Sequence, residues 1–205
     1  MNILTHPVHT PYQFELARTG HEFYSVDTPG SGEVFWDVNS RPRSKNFHSL
    51  ARLADAPGTF DLILAHYEAG YHHLKQLNLP LIYKDHCICA PFHVAPDRLL
   101  RISYYSFASQ AAASSWILPP EFTGRKVIIG TGIDVDSFAE HSGVGGDVLV
   151  VSHGIGCRAN AKGYQNLLRL ADSFQITVAG RRNEGIPGAR GPAENYQHLL
   201  QLYQS

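Results

Sequence analysis

Short apolar runs alternate with amphipathic stretches along the chain, and this alternation predicts an α/β fold. The apolar runs are mostly continuous, which is typical of strands in a parallel sheet that is covered on both faces. They predict strands over residues 2–5, 21–26, 61–66, 79–83, 99–107, 126–129 and 175–179, with one more beginning at Val148. Helical spacing predicts helices over residues 10–20, 44–56, 70–77, 110–118, 164–174 and 193–203.

Two of these helices have clear starting signals. Thr10 is the expected N-cap of the first, with Pro11 at the first helical position and Gln13 placed for a capping box. Ser44 is expected to cap the second, which Pro57 and Gly58 end. Residues 27–43 between them are polar and rich in glycine and proline, so they are expected to form a long irregular loop.

The segment 141–146, HSGVGG, is small and turn-rich, and it predicts a domain boundary. We expect an N-terminal domain over residues 1–143 and a second domain over residues 144–205. The second domain shows only two strand patterns, followed by a turn-rich loop over residues 185–191. Because a stable sheet generally needs about three strands or more, we expect either a longer protein or a partner that completes the sheet.

Composition narrows the class of protein. The chain has 205 residues and a net charge of −1, so it lacks the basic excess of a nucleic-acid-binding protein. It shows no apolar run of the ~20 residues that a membrane span requires, and its start lacks the basic and apolar regions of a signal peptide. Its three cysteines are few and odd in number, which indicates a reducing compartment. A cytoplasmic location is therefore expected.

The stretch from Val148 to Asn183 carries the first candidate site. It reads as a buried strand, a long polar loop, an amphipathic helix and a second strand, and the loop contains Arg158 and Lys162. The helix is expected to open at Gly163, where free backbone N–H groups and two cations would suit a diphosphate. The alternative is two solvated cations on a surface loop.

Two further candidates follow strands of the first domain. His6 and His9 come after the first strand, and His86 follows the fourth within the charged cluster Lys84-Asp85-His86. Ligands bind at the carboxyl ends of strands in open α/β sheets, where a histidine can act as acid, base or hydroxyl partner. The alternatives are a loop histidine bonded to a nearby carbonyl and a locally paired cluster.

Two weaker patterns do not lead to a predicted metal or cofactor. The histidines and cysteines of the first domain lack the close pairing typical of zinc sites; they are His66, His72, His73, His86, Cys87, Cys89 and His93. The segment GTGID at residues 130–134 lacks the full dinucleotide-binding pattern and is not clearly followed by a helix.

Three segments together resemble a known family. They are ILTHPVHTPYQFELARTGHEFYSVD at the start, KVIIGTGIDVDSF before the predicted boundary, and VSHGIGCRANAKGYQNLLRLADSFQITVAG after it. Their order and spacing resemble glycosyltransferases of the GT-B architecture, closest to the retaining family 4 group. The resemblance implies two Rossmann-like domains that face a cleft, the first binding the acceptor and the second the nucleotide-sugar.

By position, the resemblance makes Arg158 and Lys162 the contacts of the donor diphosphate and His86 a cleft histidine. The His6–His9 loop replaces a glycine-rich loop of the family, which suggests side-chain contacts instead of backbone contacts. The family's later acidic E-x7-E segment has no counterpart. We therefore expect the acceptor domain and only the first part of the donor domain, and this chain alone is not expected to be fully active.

The expected function is transfer of a sugar from a nucleotide-diphosphate donor to a glycan, lipid or small-molecule acceptor, with retention and without a metal or other cofactor. The expected catalytic residues are His86, His6 and His9, and the diphosphate contacts are Arg158, Lys162 and Gly163. A peripheral membrane contact stays open, whereas nucleic acid is not an expected partner. The alternatives are a non-catalytic glycan- or protein-binding module and a GT-B nucleotide-sugar epimerase.

Overall fold

The chain adopts an α/β fold with parallel sheets, as the sequence predicts. The computed structural model describes residues 1–27, 36–86, 92–93, 101–130, 132, 135–138 and 148–204. Two compact units are present, Met1–Ile133 and Asp134–Ser205. The predicted boundary segment 141–146 and the start of the strand predicted over 99–107 lie outside the described residues.

The first unit is built on a seven-stranded sheet in the order β3-β2-β1-β4-β5-β7-β9, with every neighbouring pair parallel. The strands of this unit, in chain order from β1 to β9, are Asn2–Thr5, Glu22–Val26, Phe47–Leu50, Leu62–Ala65, Leu81–Lys84, Phe92–His93, Tyr104–Phe107, Trp116–Ile117 and Arg125–Ile128. The two-residue strands β6 and β8 pair separately. The order reverses between β1 and β4, so these two strands form the topological switch point of a Rossmann-like sheet.

Among the described residues, three α-helices accompany this sheet: α1 at Thr10–Ala17, α2 at Glu68–Leu74 and α3 at Gln110–Ser115. Successive strand residues point to opposite faces, and each face has its own apolar cluster. Leu4 and Ile63 pack with residues of α2 and α3, whereas Ile3 and Leu64 pack with Ala17 of α1. Burial on both faces explains the continuous apolar runs of the sequence.

The prediction of a helix over residues 44–56 is wrong, because Phe47–Leu50 forms the edge strand β3. Phe47 packs against Phe23 and Trp36 on one face, with ring centroids 6.0 and 5.0 Å apart. On the other face, the His48 ring lies 2.8 Å from a carboxylate oxygen of Glu22. The apolar residues matched helical spacing, but pairing with β2 satisfies both faces at once.

The cap of α1 also differs from its prediction. The helix begins at Thr10, with His9 as the N-cap and without a side-chain capping bond. The Thr10 hydroxyl instead accepts a hydrogen bond from the Asp37 amide at 2.9 Å. Gln13 reaches backward as expected of a capping residue, but it accepts from the Val8 amide at 3.3 Å.

The second unit contains three parallel strands in the order β10-β11-β12, so the expectation of two strands is wrong. They are Val148–Val151, Ile176–Ala179 and Ala189–Gly191. The third strand lies in the predicted turn-rich loop, where three residues without an apolar run give no sequence signal. The residue before this strand, Gly188, is held by a hydrogen bond from the Val178 amide to its carbonyl at 2.9 Å.

The segment that joins β10 to β11 is helical rather than a long polar loop. A short 3-10 turn at Gly156–Arg158 leads into α4 at Ala159–Lys162, and α5 follows at Tyr164–Ala171. Gly163 links the two helices with a φ of 67°. Leu167 of α5 is buried as predicted, whereas Phe174 beyond the helix is half exposed.

A final helix, α6, spans Tyr196–Gln204, close to its predicted range. Within the part of the chain that the structure describes, no helix is both long and apolar enough to cross a membrane.

Replacing Gly188 with alanine tests the approach of β12 to β11. A Cβ on Gly188 would lie 1.9 Å from the carbonyl oxygen of Ile176, and the residue has a φ of 76°. Gly185→Ala is the matched control, since Gly185 has a φ of 82° with open space around it. We expect a loss of about 1 kcal/mol for the control from backbone strain alone and about 2 kcal/mol more for Gly188→Ala from the clash.

Hydrogen exchange of the β11 amides, followed beside thermal unfolding, measures this difference. Equal losses in the two variants would show that β12 does not depend on this close approach.

Candidate functional site

Three histidines meet at the carboxyl end of the central strands in the first unit. His6 follows β1, His66 follows β4 and His86 lies two residues beyond β5. These strands are neighbours in the sheet and include the switch point, which is the usual ligand-binding position in open α/β folds. The structure therefore brings together His6 and His86, as the sequence predicts, and adds His66.

His6 lies beneath the surface and connects the ends of β1 and β4. Its ring is fully buried, and its Nε2 accepts a hydrogen bond from the His66 amide at 2.9 Å. The ring proton therefore sits on Nδ1, which faces the carbonyl oxygen of Pro7 at 3.4 Å. Because both nitrogens are engaged inside the protein, His6 has the position of a supporting residue.

Gly70 of α2 and Tyr67, the residue before α2, pack against the His6 ring and fix its position. A Cβ on Gly70 would lie 2.0 Å from Cδ2 of His6, so the ring packs directly on the backbone of α2. Tyr67 stands at 4.1 Å between ring centroids, and its hydroxyl donates to the Pro7 carbonyl at 2.6 Å. The His6 ring thus joins β1, β4 and α2.

His66 and His86 form a hydrogen-bonded pair. Nδ1 of His66 lies 3.1 Å from Nε2 of His86. His66 is 5% exposed, and its Nε2 is buried with no hydrogen-bond partner among the residues that the structure describes. Tyr12 of α1 places its ring edge-on to both imidazoles, with centroids 5.2 Å from His66 and 4.6 Å from His86.

Burial keeps these rings neutral. It lowers the pKa of His6 to about 4; the hydrogen bond to the Pro7 carbonyl opposes this shift, and repulsion from the charged forms of His73 and His86 adds to it. It likewise lowers the pKa of His86 to about 4, helped by His9 and Lys84, and it lowers the pKa of His66 well below the ordinary value. Burial also raises the pKa of Tyr12 to about 12. All four side chains are therefore uncharged at neutral pH.

His9 stands at the exposed rim of this cluster. Its ring centroid is 6.0 Å from that of His86 and 5.9 Å from that of Tyr12. Thus His9 and His86 form the more accessible side of the cluster, whereas His6 and His66 lie beneath them.

Lys84 of the predicted charged cluster does not extend into solvent. It is buried, and its ammonium group donates to the Ile129 carbonyl, which joins the ends of β5 and β9 across β7. Burial lowers the pKa of Lys84, while the neighbouring Asp85 carboxylate raises it. The Lys84 side chain thus joins two strand ends of the sheet, and it adds positive electrostatic potential beside His86.

In the second unit, Lys162 returns to the carboxyl end of β10. Its ammonium group lies 3.0 Å from the Ser152 hydroxyl, and the side chain is exposed. Arg158 ends the short 3-10 turn, but its side chain lies outside the described part of the structure. Gly163 is the N-cap at which α5 opens, as predicted, but it forms a left-handed link to α4 and does not end a loop.

The sequence analysis missed two residues at this edge. The Arg181 amide donates to Nδ1 of His153 at 2.8 Å, so neutral His153 carries its proton on Nε2. Burial, with Arg181 and Lys162 nearby, lowers the pKa of His153. Asn183 is buried, accepts from the Ile155 amide at 3.0 Å and donates to the Ser152 carbonyl at 2.6 Å. The available signal was a polar residue within a few positions of a strand end, since β10 ends at Val151 and β11 at Ala179.

The clearest surface grooves lie elsewhere. One of about 430 Å³ is lined by residues that include Phe174, Ile176 and Arg190, and another of about 400 Å³ includes Arg101 and Gly124. Both are near the amino ends of strands. The strand carboxyl ends carry the polar and titratable groups, so we take those edges as the candidate sites.

No group of three or more metal-binding side chains is present within the described residues. Cys87, Cys89 and the side chain of His93 from the predicted set fall outside them, as do residues 131, 133 and 134 of the glycine-rich segment.

Comparison with known proteins assigns no family, since neither a protein-family model nor a curated protein matches the chain. The seven-stranded parallel sheet is compatible with a Rossmann-like domain.

Gly70→Ala tests the packing of the His6 ring against α2. Glycine-to-alanine changes within helices usually stabilise by about 0.5–1 kcal/mol, but here the new methyl group meets the His6 ring. We expect a loss of about 1–3 kcal/mol instead. In a His6→Ala background the same change should be neutral or stabilising. Chemical unfolding of the four proteins measures this coupling, and equal losses in both backgrounds would contradict it.

Acid should destabilise the first unit through these histidines. Because the folded pKa of His6 lies below its ordinary 6.5, the unfolded chain binds more protons between the two values. Stability should be fully present above pH 6.5 and decline as the pH falls toward about 4. His6→Gln should flatten this decline in Tm. A slope that is the same in the variant and in the unmodified chain would refute this assignment.

Proposed function

We propose that the chain belongs to a glycosyltransferase that uses a nucleotide-diphosphate sugar, and that the second unit binds the donor diphosphate. The observation that supports this most directly is the return of Lys162 to Ser152 at the carboxyl end of β10. An ammonium group and a hydroxyl at this edge suit phosphate oxygens. The sequence resemblance to GT-B enzymes suggests the same role for Lys162.

Further donors at this edge favour an anion. Arg181 and Arg182 follow β11 after Gly180 and have exposed side chains, and neutral His153 has its proton on Nε2. Asn183 ties the backbone segments after β10 and β11 together, so the surrounding backbone is held before a ligand binds. A fixed cationic edge stabilises a departing diphosphate more than a mobile one, because little reorganisation is needed.

The first unit is proposed to bind the acceptor at the histidine cluster. His86 and His9 are its accessible members, and an uncharged imidazole suits a hydroxyl that can both donate and accept. His6 keeps the strand ends in place beneath them. We propose His86 as the residue that touches the acceptor, with His9 at the rim.

In the proposed reaction, the bond between the anomeric carbon and the diphosphate oxygen breaks with its electron pair on the diphosphate. The acceptor oxygen bonds to the same carbon, and its proton leaves to a basic atom nearby. Retention of configuration and independence of a metal come from the sequence resemblance. Protein cations would take up the charge that develops on the leaving group.

Lys162→Ala tests the donor site. We expect UDP, GDP or ADP to raise the Tm of the full chain, with a gain of about 2.7 kcal/mol in unfolding free energy at 100 times the Kd. Loss of one charged contact should weaken binding about tenfold, equal to about 1.4 kcal/mol. Calorimetric titration checks the Kd directly.

Arg169→Ala is the matched control, since it removes one exposed positive charge from α5 of the same unit. It should bind the nucleotides as the unmodified chain does. If none of the three nucleotides binds, or if both variants lose binding equally, the proposed donor site is wrong.

A further inference from the structure

The pair formed by His66 and His86 has two outer nitrogens that have no hydrogen-bond partner among the described residues. Nδ1 of His66 and Nε2 of His86 share one hydrogen bond of 3.1 Å. Nε2 of His66 is buried without a partner, and no hydrogen bond to Nδ1 of His86 is present within the described part of the chain. A buried polar atom without a partner is costly unless a ligand or another group satisfies it.

We propose that His66 and His86 act together as a hydrogen-bonded pair that binds a hydroxyl group of the acceptor and receives its proton. In this pair His86 is the catalytic residue and His66 is the positioning residue. The inference rests on the proposed function in treating the bound hydroxyl as that of a sugar acceptor and the diphosphate as the leaving group.

The shared hydrogen bond restricts the tautomers of the two rings. If His66 donates through Nδ1, the facing Nε2 of His86 is bare, so both rings carry their protons on Nδ1. If His86 donates through Nε2, Nδ1 of His66 is bare, and both rings carry their protons on Nε2. The two neutral rings must therefore have the same tautomer, and one outer nitrogen is always a donor while the other is an acceptor.

The second arrangement is the one competent for proton transfer. Nδ1 of His86 is then bare and takes the acceptor proton as the acceptor oxygen bonds to the anomeric carbon. The resulting imidazolium donates through Nε2 to Nδ1 of His66, which spreads its charge, and the electron pair of the broken bond stays on the diphosphate. After the product leaves, the proton on His86 Nδ1 is released to solvent.

The surroundings favour a neutral, hydroxylated ligand. His6 and Lys84 approach the pair from the sheet, His9 from the segment before α1 and Tyr12 from α1. Lys84 directs its ammonium group to the Ile129 carbonyl, so it does not bond a ligand at the pair. An aromatic ring beside a donor–acceptor pair suits the apolar face and the hydroxyl groups of a sugar.

Nitrogen NMR of the full chain with labelled histidine tests the inference at neutral pH without any nucleotide. We expect His66 and His86 to be neutral with matching tautomers. Opposite tautomers, or a positively charged ring in either residue, would overturn the proposal.

Ligand titration then separates the classes. Methyl α-D-glucopyranoside and myo-inositol should each shift the ring nitrogens of both residues and change the balance of the two matched tautomers. Sodium sulfate at the same concentration should not. Movement with sulfate alone would mean an anion site, and no movement with either sugar probe would mean a structural pair; each result overturns the proposal.

His66→Gln provides a variant readout, with His72→Gln on the exposed side of α2 as its control. Removing His66 should release the tautomer of His86 and abolish the sugar-induced shift, whereas the control should change neither. An unchanged sugar-induced shift in His66→Gln would overturn the paired role. Nucleotide binding measured on the same samples should survive His66→Gln, so failure of the donor site and failure of this inference can be told apart.

Discussion

The hydrogen bond from the His66 amide to Nε2 of His6 is the constraint on which the first unit's site depends. A backbone N–H at the end of a buried strand needs a partner, and His6 supplies one across the switch point from β1. Gly70 leaves room for that ring. Once the His6 ring is fixed, the backbone at His66 is fixed too, and the His66 side chain is directed by the chain to its contact with His86.

In the second unit, an asparagine side chain satisfies the backbone groups beyond the strand ends. Asn183 accepts from the Ile155 amide and donates to the Ser152 carbonyl, so one buried side chain joins the segments after β10 and β11. In both units, the need to satisfy backbone groups at strand ends places polar side chains where ligands of open α/β sheets bind. His6 is such a residue, since its buried ring accepts the His66 amide, and its predicted catalytic role stays a prediction.

Prediction from sequence worked where one local pattern decided the outcome. Continuous apolar runs located β1 and β4 because those strands are covered on both faces. It failed at Phe47–Leu50, where the partner strand decided the structure, and at Ala189–Gly191, where main-chain contacts through Gly188 replace apolar burial. These contacts join residues far apart in the chain, so no short window of sequence contains them.

The candidate site shows the same division. Position after a strand was enough to place His6 and His86 at one edge, because parallel strands deliver such residues there. It did not indicate the burial and hydrogen bonding of each ring, since these depend on Gly70 and Tyr12 from other elements.

Charge at the strand ends distinguishes the chemistry of the two units. In the first, burial keeps His66 and His86 neutral, and Lys84 is engaged by a main-chain carbonyl. In the second, Lys162 and Arg181 keep exposed cationic side chains beside Ser152 and His153. A neutral donor–acceptor edge suits a hydroxyl, and a cationic edge suits a phosphate. We therefore expect two edges of the same architecture to prefer different ligands, because one buries its titratable groups and the other leaves its charges in water.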